Sequence, residues 1–171
     1  MSTSSMKTSI NGIIPVMLMP FHADGQLDSA GLSRLTEWYL AHGAQALFAV
    51  CQSSEMRYLS VDERVALAKQ VVQDTAGRIP VVASGHVADT LAEQIAELQA
   101  IAATGIDALV LVTNRIDVHN AGTAAFLHHL DALLAALPTE LPLGLYECPA
   151  PYRRLLSDEE LQYCIDSGRF V

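Results

Sequence analysis

The apolar and polar positions of the chain repeat one pattern. A run of consecutive apolar residues gives way to a turn, then to an amphipathic stretch rich in Ala and Leu. A Gly or Pro follows, and a new apolar run begins. The runs at 13–21, 44–50, 79–85, 106–112 and 141–147 predict five strands, and 169–171 opens a sixth. Successive rather than alternating apolar residues mark strands buried on both faces, as in a parallel sheet. The stretches at 29–43, 60–77, 89–105, 121–137 and 157–168 predict helices. Gly43 supplies a stop signal for the first. Ser60 with Glu63, and Ser157 with Glu160, have the spacing of reciprocal caps that satisfy the free amides of a helix start.

Alternation of this kind predicts an α/β fold with a parallel sheet. Two architectures fit: an open doubly wound sheet of five strands, or part of a (β/α)8 TIM barrel. A sixth apolar run beginning at 169 favours the barrel. The expectation is about five βα units plus the start of a sixth strand, where a closed barrel needs eight. Residues 1–10 predict a flexible N-terminal tail, and 11–171 the N-terminal part of one barrel domain.

The chain has 171 residues, 51% hydrophobic and 17% charged, with a formal net charge of -9. This is a globular composition. It lacks the basic runs of a nucleic-acid binder, an apolar run long enough to span a membrane, and a signal-peptide core. Cys51, Cys148 and Cys164 have no metal-like spacing and suggest reduced thiols in a cytoplasmic protein. No metal site is expected either. His128 and His129 diverge on their helix, form no ligand set with His119, and are expected in solvent.

In both architectures the chemistry sits at the C-terminal strand ends. Gln52, Ser53 and Ser54 follow the second strand. They offer small polar side chains and successive amides that can hold a carboxylate or phosphate oxygen, or merely form a polar loop. His22 and His86 near strand ends are weak candidates for polar contacts. Tyr146 ends the fifth strand, either as a proton relay or as a core tyrosine with a wet hydroxyl. Glu147 points to the opposite face from Tyr146 and is a candidate partner for Arg153 or Arg154.

With these residues in place, the chain resembles the dihydrodipicolinate synthase and N-acetylneuraminate lyase family. "GIIPVMLMPFHADGQLD" is similar to the family's first strand and turn. "LFAVCQSSEMRYLSVDER" is similar to its Gly-Thr-Thr-Gly-Glu motif, with Glu55, Leu59, Ser60 and Glu63 in register, and "YECP" to its Tyr-Asn-x-Pro. The resemblance implies a TIM barrel, homotetrameric or dimeric, acting on pyruvate or another 2-keto acid as a class I aldolase or lyase. No cofactor is implied, because a lysine on the sixth strand forms an imine with the keto carbon. Tyr146 matches the family's proton-shuttling tyrosine. Gln52, Ser53 and Ser54 match its carboxylate-binding turn, with Glu147 beside them as a further substrate-binding candidate.

This chain has Cys51-Gln52-Ser53-Ser54 where the family has Gly-Thr-Thr-Gly, and Glu147 where asparagine is usual. Its two lysines are Lys7 in the tail and Lys69 in a helix. The imine lysine is therefore expected beyond Val171. A non-catalytic small-molecule-binding or regulatory relative is the alternative.

Overall fold

A computed structural model of the chain describes residues 10–171. Four hydrogen-bonded strands form one sheet: β1 (Leu47–Phe48), β2 (Val81–Ala83), β3 (Ala108–Val112) and β4 (Leu143–Tyr146). They lie in chain order, and every pairing is parallel. Single parallel bridges extend the array at both edges, from Val16 to Phe48 and from Leu143 to Phe170. Six segments thus follow one another without a reversal of order. A doubly wound sheet reverses at its switch point, whereas a barrel does not. The fold is the first part of a (β/α)8 barrel.

The curl of the sheet is visible in its side chains. Three inter-strand steps separate β1 from β4, about 14 Å if the sheet were flat. Yet the rings of Phe48 and Tyr146 meet edge to face with centroids 6.3 Å apart. On this inner face Phe48, Val82, Ala108 and Val110 form a small apolar cluster, with Ile10, Ile14 and Tyr146 against it. Ile10, expected in the tail, therefore packs on the sheet; the rest of the expected tail lies outside the described residues. The intervening residues Leu47, Val81, Ala83, Leu109, Leu111 and Leu143 point outward into the main core.

The helices are α1 (Ser29–Ala41), α2 (Val61–Thr75), α3 (Leu91–Ala102), α4 (Thr113–Ile116), α5 (Thr123–Ala136) and α6 (Asp158–Asp166). Both reciprocal caps form as expected, at Ser60 and Glu63 and at Ser157 and Glu160. Gly43 takes the left-handed conformation, with φ +85°, just past α1.

Two elements differ from expectation. The run at 13–21 forms isolated bridges, Val16 to Phe48 and Phe21 to Leu27, rather than a strand. Pro15 and Pro20 lack the N–H that a ladder needs, so pairing with the β1 segment is reduced to Met17 N donating to Phe48 O, Phe48 N to Pro15 O and Gln45 N to Ile13 O. The segment after the fourth apolar run, expected as a loop, opens with α4. The buried Asn114 secures that turn by donating from Nδ2 to the carbonyls of Cys148, Ala150 and Tyr152. Among the described residues no helix is long and apolar enough to cross a membrane.

Candidate active site at the strand ends

The turn after β1 is a short 3-10 helix, Gln52–Ser54, that ends on Glu55 in the left-handed conformation. The buried Ser54 closes it. Its hydroxyl donates to Cys51 O (2.9 Å) and accepts from Cys51 N (2.8 Å). That hydroxyl is spent on the loop, so of the two serines only the exposed Ser53 offers a side chain outward. Gln52 is half-buried, and its Oε1 accepts from the thiol of Cys148, 2.9 Å away and 96 residues along the chain. This contact goes to the cysteine two residues beyond Tyr146.

Tyr146 ends β4 on the inner face. Burial raises its phenol above the usual range, and the neighbouring Cys148 and Cys51 add to the shift. The group is therefore a proton donor at neutral pH. Among the described residues none hydrogen-bonds its hydroxyl. Cys148 and Gln52 thus meet from the ends of β4 and β1, while Tyr146 faces a separate apolar hollow of about 240 Å³ on the inner face. Gln52 also lines an open hollow of about 590 Å³, with Glu55, Arg57, Tyr58, Ala150 and Pro151 around it.

Glu147, by contrast, is exposed, and its Oε1 accepts from Leu156 N at 2.9 Å. It braces the following loop and pairs with neither arginine. Arg154 goes instead to Glu160 (3.0 and 2.6 Å) and Asp117 (3.1 Å), and its guanidinium lies 4.4 Å from the centre of the Phe126 ring. Lys69 is exposed on α2, an outer helix, and Lys7 lies outside the described residues.

A buried histidine underlies the site. His86, 1% exposed, accepts at Nδ1 from Val112 N (3.1 Å), so the proton sits on Nε2 and donates to Gln94 Oε1 (2.9 Å). The same oxygen accepts from His129 Nε2 at 2.9 Å. His129, expected in solvent, is half-buried here, and burial, followed by the neighbouring His128, lowers its pKa. For His86, burial lowers the pKa to about 4, outweighing the bond to Gln94, and Arg115, His129 and Arg64 push the same way.

A folded value below the unfolded 6.5 means stability that is complete above pH 6.5 and falls as pH drops toward 4. At about 1.4 kcal/mol per pH unit, the loss reaches about 3 kcal/mol. Denaturant midpoints measured between pH 7 and pH 4 should show this slope, and His86→Asn should flatten it.

Parallel strands in barrel order, with polar residues gathered at their C-terminal ends, define the class: part of a (β/α)8 barrel. Residues 9–160 match the dihydrodipicolinate synthetase family, and the chain belongs to that family. The 4-hydroxy-tetrahydrodipicolinate synthase of Cellvibrio japonicus is 36% identical over 142 residues, which are 82% of this chain and 47% of that protein.

Among solved structures, a putative dihydrodipicolinate synthetase from Pseudomonas aeruginosa superposes with a TM-score of 0.81 at 26% identity. The match covers 92% of this chain and 53% of that one. The chloride-inhibited dihydrodipicolinate synthase of Acinetobacter baumannii, solved with pyruvate, superposes with a TM-score of 0.73 at 32% identity, covering 82% and 47%. The chain spans about half the length of the curated relatives it matches.

Proposed function

We propose that this chain serves a class I aldolase or lyase that binds pyruvate or another 2-keto acid as an imine. What carries the reading is the place of Tyr146 at the end of β4 on the inner face, two residues before the Cys148 thiol that reaches the turn at Gln52. Among the described residues none bonds the phenol, which lines an apolar hollow of about 240 Å³ with Phe48 and Val110, while Gln52 lines the separate open hollow between the loops after β1 and β4. The pyruvate-bound relative from Acinetobacter adds support for the ligand class.

In this reading Gln52 and Ser53 receive the keto acid's carboxylate and orient the keto carbon toward the barrel axis. Ser54 takes no direct part; it fixes the turn. Glu147 contributes through the loop it braces. The imine nitrogen belongs to a lysine that these 171 residues do not include, and it draws electrons from the adjacent carbon. Tyr146, protonated at neutral pH, returns a proton to that carbon or to the departing oxygen, and takes it back in the reverse step.

The test is exchange of the pyruvate methyl protons for deuterium, which requires reversible enamine formation. The complete protein in D2O should label pyruvate faster than buffer does. Pyruvate bound without exchange would mark a non-catalytic binding relative.

A further inference from the structure

Gln52 stands where the family resemblance led us to expect a hydroxyl residue. A carboxamide has two faces of opposite character, an acceptor oxygen and a donor NH2. Here the acceptor is already used, because Gln52 Oε1 takes the Cys148 thiol at 2.9 Å. Cys148 is 2% exposed, follows Tyr146 by two residues, and also lies 3.2 Å from Ala150 O. Among the described residues none accepts from Gln52 Nε2. Gln52 contributes to the wall of the open hollow between the β1 turn and the loop after β4.

We propose that Cys148 is a positioning residue that anchors the Gln52 carbonyl, so that Gln52 meets a ligand as a donor only and selects a carboxylate over a neutral amide. This rests on the keto-acid reading and adds its specificity device. An unanchored glutamine turns about its last bond and offers either face, so it accepts an amide N–H as readily as it donates to a carboxylate. With the oxygen held, a ligand amide that brings its NH2 to this position finds no acceptor there. Loss of such a pairing leaves a polar group unsatisfied, worth about tenfold in affinity.

The test joins one spectroscopic readout with one binding readout, both on the complete protein. The infrared S–H stretch of Cys148, assigned as the band lost in Cys148→Ser, should lie low and shift upward in Gln52→Ala. Pyruvate should bind about tenfold tighter than pyruvamide. That preference should collapse in Cys148→Ala and return in Cys148→Ser, which restores a donor of similar reach.

A thiol band unmoved by Gln52→Ala overturns the anchor itself. A band that moves while Cys148→Ala keeps the full preference overturns the selectivity role. A moving band in a protein that binds neither ligand overturns that role too, and locates the fault in the keto-acid reading rather than in the anchor. Recovery in Cys148→Ser separates positioning from simple loss of packing, and a cooperative melt of Cys148→Ala excludes misfolding.

Discussion

Tyr146→Phe is expected to slow deuterium exchange into pyruvate by about a hundred- to ten-thousandfold, the usual worth of a positioned proton donor. The ring stays, so its edge-to-face contact with Phe48 and its burial on the inner face stay with it. Only the hydroxyl is lost, and no described residue bonds it. Stability should therefore change by no more than about 0.5 kcal/mol. Pyruvate affinity should change far less than rate, because in the proposed reading the carboxylate is received by Gln52 and Ser53. Exchange that persists at the wild-type rate would show that another group moves the proton.

Arg154→Ala is expected to have the largest effect on stability. Arg154, Asp117 and Glu160 are all buried, and the guanidinium meets Glu160 through two nitrogens. Removing the cation leaves two carboxylates facing each other away from water, at a cost of about 3–5 kcal/mol. Most domains have only about 5–15 kcal/mol in total. Denaturant unfolding should show the midpoint falling sharply. The variant that replaces Arg154 by Met and Glu160 by Gln together should regain part of the loss, since it removes the stranded charge on α6 and keeps an acceptor for the cap at Ser157, while Asp117 retains its bonds from Ala121 N and Gly122 N. A cost below about 1 kcal/mol for Arg154→Ala would mean that water reaches the cluster.

This cluster also shows what the sequence could and could not reveal. Glu160 was legible as the capping partner of Ser157 because that contact spans three residues. Its second duty to Arg154 was not, because nothing local distinguishes Arg154 from Arg153. Asp117 lies 37 residues from Arg154, and only the fold brings them together.

The same holds at the site. Tyr146 was readable as a strand-end phenol, and the resemblance gave it a role, but its neighbour Cys148 read only as a reduced thiol. The bond from Cys148 to Gln52 joins strand ends three steps apart, and a chain-order pattern carries no record of curvature. Strand lengths were overestimated for a related reason. Apolar runs continue where burial continues, past the point where the ladder of hydrogen bonds stops.

An imine formed on the inner face of this partial barrel can be trapped by reduction. The most direct measurement treats the complete protein with pyruvate and borohydride, digests it, and reads the peptides by mass spectrometry. An amine adds to the keto carbon, water leaves, and hydride reduces the imine to a stable secondary amine. One adduct is expected, dependent on pyruvate, on a single lysine other than Lys7 and the outward-facing Lys69. No adduct on folded protein, or labelling confined to Lys69, would contradict the imine.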